Sequence, residues 1–282
     1  MDRLYNFLKS LRMERLSPVL IHVPKGTQLG FNLPVLMHFL IATFFILVGA
    51  EIRKELGHSK ELIAPFFAAL GGMALPAMIF RILEPRSSAW GATMPTDIFL
   101  VLAVIALLGK RISAKVRLFV LALAVSDDLL SLIVIALFYR GEIDFATSAS
   151  TFIATAIGFL APARERVIKI LTPWAFYVVT PIVIFSHLPK SFHFDSTVQS
   201  YLIARVLGKA IGISLIAWLF IRKEMIGIGL LCGMGMTVSL IINEIATTGA
   251  ERESIDGAIY LATVISGVLG YAWLRWRNKL PV

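Results

Sequence analysis

Residues 121–138 read LALAVSDDLLSLIVIALF. The run is apolar enough and long enough to cross a bilayer, yet Asp127 and Asp128 stand side by side within it. A charged side chain at the centre of a membrane helix costs at least roughly 2.5 kcal/mol. An acidic pair at that depth therefore needs a partner or a task. As neighbours on a helix, the two carboxylates project about 100° apart. One can face a partner helix while the other faces water.

The rest of the chain has the same character. Of its 282 residues, 57% are apolar and 16% charged, and the mean hydropathy is +0.81. That balance belongs to a polytopic membrane protein. Apolar segments at 33–53, 61–83, 92–110, 116–139, 146–161, 171–187, 199–221, 226–246 and 257–276 are expected to form nine spans. The opening MDRLYNFLKSLRMERL is too charged for a signal core, and 33–50 is expected to remain as a helix. With one cysteine, Cys232, there is no disulfide framework.

The net charge of +9 does not point to nucleic acid, because the basic residues lie in short clusters between apolar runs. If the first span ends inside, the inner loops hold Lys and Arg over the outer loops by three to one. By the positive-inside rule, the N-terminus is then outside and the C-terminus cytoplasmic. Residues 1–31 form an external segment carrying Arg3, Lys9, Arg12, Arg15 and Lys25. An amphipathic surface helix, then a hairpin turning at Lys25-Gly26, is expected there. Residues 32–282 form the transmembrane domain.

Two spans look interrupted. Pro95 supplies no backbone donor and disfavours helix at Met94. Gly233 and Gly235 interrupt GLLCGMGMTVSLII, with Thr237 just beyond. Each interrupted span is the middle one of a triplet, 61–139 and 199–276. Three crossings separate the triplets, so they insert with opposite orientation. Paired broken segments in an inverted-topology repeat point to a transport site.

The deep charges are Asp97, Asp127, Asp128, Arg205 and Lys209. Lys209 is the natural partner for one aspartate. Ionised carboxylates offer hard oxygen ligands to a small cation, and Thr96 can add a hydroxyl. A protonated carboxyl binds no cation, so protons and cations compete, and a site open to one side at a time turns competition into antiport. Asp97 can offset positive helix N-termini at the break. Arg205 is expected to snorkel to the outer interface, and Glu244 to be solvated. An intramembrane aspartyl protease is the reading from another class. It needs two aspartates converging across helices, whereas here they are adjacent and no GxGD motif occurs.

The segments FFILVGAEIRKEL, TDI, LALAVSDDLLSLIVIALFY, TPWAFYVVTPI, LGKAIGISLIAWL, LLCGMGMTVSLI and GVLGYAWLR, in this order, resemble the NhaA sodium/proton antiporters over most of residues 19–282. The resemblance implies an all-α membrane fold with two crossing discontinuous helices. It implies Asp128 as the principal cation and proton site, Asp127 beside it, and Lys209 paired with Asp127. Thr96 and Asp97 fall at the crossing. Glu51, Lys54 and Glu55 fall in a region tied to pH sensing. Internal Na+ or Li+ exchanged for external H+ at the inner membrane of a bacterium is the implied activity, with no cofactor, and the 19–31 hairpin is the implied homodimer contact.

The chain also departs from the family. It has room for nine spans rather than twelve, with losses before residue 19 and between Tyr139 and Phe145. His38, Phe145 and Ile168 replace polar or acidic residues usual at their positions, which implies altered pH control. A non-transporting member with the site but too little scaffold is the second reading.

Overall fold

The computed structural model describes residues 33–56, 59–138, 145–162, 164–189, 194–218 and 224–277. The expected helix and hairpin of 1–31 lie outside them. All regular structure among the described residues is helical. α1 (Leu33–Leu56) and α2 (Ser59–Leu83) precede a 3-10 turn (Ala89–Thr93) and α3 (Ile98–Leu108). α4 (Ala114–Phe138) and α5 (Phe145–Leu160) follow. α6 (Arg164–Trp174) continues through a π turn (Ala175–Val179) into α7 (Thr180–Ser186). α8 (Ser196–Leu202) likewise continues through a π turn (Ile203–Leu207) into α9 (Gly208–Ala217). The chain ends in α10 (Met225–Leu231), α11 (Thr237–Ala246) and α12 (Gly249–Arg277).

Among the described residues, five stretches are long and apolar enough to cross a bilayer: Ile63–Leu83, Ala89–Leu108, Glu165–Ser186, Ser196–Ala217 and Gly249–Arg277. Large apolar side chains such as Ile82, Leu107, Leu215 and Val268 point outward, as a lipid solvent permits. The chain is an all-α, multi-pass membrane protein.

Some helices run past their apolar segments. α12 begins at Gly249 rather than near 257, because Glu251, Arg252 and Glu253 continue the helix beyond its apolar part. α6 starts at Arg164 for the same reason.

Two apolar cores hold the helices. One joins Phe44 and Leu47 of α1 to Val179, Tyr201, Leu240 and Ile259. The other joins Met73, Val101, Leu123, Ile213 and Ile228. Ala92 and Val238 belong to the first, Met94 and Met234 to the second. Each interrupted span is therefore shared between the cores.

Glycines set the closest helix approaches. A Cβ on Gly71 of α2 would lie 2.6 Å from the Gly212 carbonyl oxygen of α9, and one on Gly208 would lie 2.9 Å from Pro76 Cα. Gly49 of α1 and Gly158 of α5 meet the opposite backbone in the same way. Small residues allow this backbone contact, and packing is what drives helix association in lipid. Gly212→Ala is accordingly expected to destabilise the fold by about 1–3 kcal/mol through overpacking. A lowered thermal unfolding temperature in detergent is the readout, and an unchanged one would contradict the close approach.

Candidate functional site

The first interruption differs in origin from the sequence reading. Met94 keeps helical angles, φ −82° and ψ −50°, despite the following proline. The break comes after it, where Pro95 lacks a donor and Asp97 turns extended, φ −92° and ψ 103°, to cap α3. Asp97 Oδ1 accepts from the backbone N–H groups of Phe99 at 3.2 Å and Leu100 at 3.4 Å.

In the second interruption, Gly235 is required by proximity rather than by backbone angle. A Cβ there would stand 2.5 Å from the Pro95 carbonyl oxygen and run into the Arg205 guanidinium. Gly233 similarly makes room for Ser266.

The two breaks are bonded to each other. The Asp97 N–H donates to the Met234 carbonyl at 2.9 Å. Thr96 Oγ1 donates to the Cys232 carbonyl at 3.0 Å. Thr237 Oγ1, in the first turn of α11, donates to Asp97 Oδ2 at 2.9 Å, and the Thr237 backbone N–H also reaches this carboxylate. Asp97 thus sits where α3 and α11 both begin, at two positive helix ends.

Behind the breaks, Lys209 of α9 reaches Asp127 of α4. Nζ lies 3.0 Å from Asp127 Oδ2, and both side chains are buried. Lys209 Nζ also donates to Thr96 Oγ1. Asp127 Oδ1 has no hydrogen-bond partner among the described residues. Asp128 faces elsewhere, onto a small, partly open cleft shared with Phe44, Thr96, Asp97, Gly235 and Thr237. Glu51 of α1 is near enough to act on the Asp128 charge. The structure therefore gathers Thr96, Asp97, Asp127, Asp128 and Lys209 at the breaks, with Glu51 nearby. The side chains of Lys54 and Glu55 lie outside the described residues.

Arg205 does not snorkel to an interface. Its side chain is fully buried and hydrogen-bonded at the two breaks. Its place four residues before Lys209 in the sequence did not by itself show this, because the burial depends on carbonyls that the two breaks bring together.

A second polar group lies at the ends of α7 and α11. His187, just past α7, shares a proton between Nε2 and Glu244 Oε2 at 3.1 Å. Its Nδ1 meets the Val183 carbonyl at 2.9 Å. Glu244 is half exposed, as expected, but it is engaged. Burial alone would lower the His187 pKa, but the bonds to Glu244 and Val183 and the Glu244 charge outweigh it and hold it above the ordinary 6.5. A raised pKa contributes stability fully present below 6.5 and lost as pH rises through the folded value. Glu244→Gln should therefore lower the unfolding temperature at pH 6, with the gap to wild type closing toward alkaline pH. Exposure of Glu244 limits the effect to about 1 kcal/mol or less. A gap that does not vary with pH would contradict this pairing.

The family model described as Na+/H+ antiporter 1 matches residues 32–197 and 161–274. The Na(+)/H(+) antiporter NhaA of Escherichia coli O1:K1 is 29% identical over 322 residues, covering 86% of this chain and 83% of the relative. That of Shigella boydii serotype 4 gives the same values. The aligned length exceeds the 282 residues of the chain itself, so the relatives carry internal residues that this chain lacks. The match over most of its length shows that the chain belongs to the Na+/H+ antiporter family, as a member of the NhaA type.

Proposed function

We propose that the chain exchanges internal Na+ or Li+ for external H+ across the bacterial inner membrane, with proton and cation competing for Asp128 beside Asp127. One observation carries this reading. The neighbouring acids are divided: Asp127 is tied to Lys209, while Asp128 opens onto a cleft lined by both breaks. A cation entering that cleft meets a carboxylate, the Thr96 hydroxyl and break carbonyls, ligands that suit a hard ion. A proton arriving instead neutralises Asp128 and removes the attraction for the cation. The Lys209–Asp127 pair offsets buried charge while this happens.

The triplets 61–139 and 199–276 serve as the inverted repeat, with the broken spans crossing at the site. The mutual hydrogen bonds of the breaks support that placement. The loop charges favour an outer N-terminus and a cytoplasmic C-terminus. Glu51, Lys54 and Glu55 are assigned to pH control, and pairing of two copies to the 19–31 segment.

The test is purified protein in proteoliposomes with an imposed sodium gradient and an internal pH dye. Proton movement above that of protein-free liposomes is expected, rising with sodium to saturation. The shortened chain favours one competing reading, a member that retains the site without transport. A folded protein that leaves the dye unchanged would select it and defeat the antiport reading.

A further inference from the structure

Among the described residues Arg205 is the largest fully buried side chain, and neither proton–cation competition nor the Lys209–Asp127 pair uses it. It lies in the π turn Ile203–Leu207 that interrupts the helix leading to Lys209. Such turns are frequent at functional sites. Its hydrogen bonds reach both breaks. Nε donates to the Gly233 carbonyl at 2.9 Å, and Nη2 to the Pro95 carbonyl at 2.5 Å. Nη1 donates to the Ala92 carbonyl at 2.6 Å, to Tyr201 Oη at 2.6 Å and to Ser239 Oγ at 2.9 Å. Tyr201 Oη in turn donates to the Ala92 carbonyl at 2.7 Å.

These carbonyls end two half-helices. Ala92 and Pro95 close the first half of one interrupted span, and Gly233 follows α10 in the other. Carbonyls at helix C-termini have no partner within the helix and carry partial negative charge. Away from water, each needs a donor. A planar guanidinium offers five N–H groups in a fixed fork, and an ammonium offers three without that geometry. Gly235 leaves the space that this fork occupies.

The cation ligand Thr96 follows Pro95 directly, and Asp97 bonds to Met234, which follows Gly233. Holding Pro95 and Gly233 together therefore fixes Thr96 and Asp97 against the start of α11. We propose that Arg205 is a positioning residue of the ion site: a permanent cation that ties the carbonyl ends of both interrupted spans together and sets the geometry of the cleft beside Asp128. It also leaves Lys209 free for Asp127. The inference rests on Asp128 being the ion site.

The test uses the full chain, with Arg205→Lys and Tyr201→Phe beside wild type. Transport is read in proteoliposomes. Sodium binding is read separately in detergent, as the sodium concentration giving half of the maximal thermal stabilisation. Arg205→Lys keeps the charge and loses the fork. It should raise the apparent KM for sodium on the order of tenfold, with maximal rate within about twofold, because misplaced ligands weaken a site steeply. The binding midpoint should move in step. Tyr201→Phe should shift both in the same direction by a smaller factor, and it decides the matter alone where Arg205→Lys does not fold. Folded variants with a reduced maximal rate but unmoved KM and midpoint would overturn the assignment and leave Arg205 as packing. A wild type that sodium does not stabilise would overturn the ion-site reading and this inference with it. Saturable wild-type binding with unmoved variants would overturn this inference alone.

Discussion

Asp128→Asn is expected to reduce sodium-driven proton movement about a thousandfold while leaving the protein folded. The substitution keeps shape and volume, so packing in the cleft is conserved. Two things are lost. An amide cannot accept and release a proton in the working pH range, so the proton half of the cycle stops. The negative charge facing the cation also goes. A unit charge pair at 4 Å is worth roughly 4 kcal/mol at the effective dielectric of a protein, which is about three powers of ten in affinity. Asp127 cannot substitute, because Lys209 holds its Oδ2 and Asp127 itself is buried away from the cleft. The measurement is initial dye response against sodium concentration, with unfolding temperature in parallel. A wild-type response from folded Asp128→Asn would sink the assignment of the ion site.

Lys209→Ala should produce the largest loss of stability. Lys209 and Asp127 are both buried, and Asp127 Oδ1 already lacks a hydrogen-bond partner among the described residues. Removing the ammonium leaves a carboxylate without charge compensation in a medium that solvates it poorly. Breaking one side of a buried ion pair typically costs about 3–5 kcal/mol. Thr96 loses a donor as well. Thermal unfolding in detergent at neutral pH should register the loss, and adding Asp127→Asn should recover part of it. An unfolding temperature equal to that of wild type would mean that the pair carries no stability.

Much of this was legible before any coordinates. The hydropathy of the chain placed helices at each apolar segment, because lipid leaves a backbone few alternatives. The breaks were visible in Pro95 and in Gly233 and Gly235, and Lys209 was the natural partner for one of the two aspartates, the family resemblance pointing to Asp127. What escaped depended on three dimensions. The sequence gives Arg205 a position near the outer end of an apolar run, where snorkelling is the ordinary outcome. Only the assembled breaks supply enough carbonyls to bury a guanidinium. Met94 escaped too: proline disfavours helix before it, yet tertiary packing of Met94 in the second core overrides that local bias. The link between His187 and Glu244 joins residues far apart in sequence on separate helix ends.

The glycine contacts have a mechanical consequence. Gly212 of α9 faces the Gly71 backbone of α2, and Gly49 of α1 and Gly158 of α5 each face the backbone of the opposite helix. A seam of that kind has no lubricant: sliding either helix by a residue brings a bulkier neighbour into a gap that fits none. α2 with α9, and α1 with α5, therefore act as stiff beams. Phe44 of α1 lines the same cleft as Asp128, so that cleft runs beside one beam. Any shift of one wall of that cleft against another must carry each beam whole, and the compliance must reside in the breaks and loops around them.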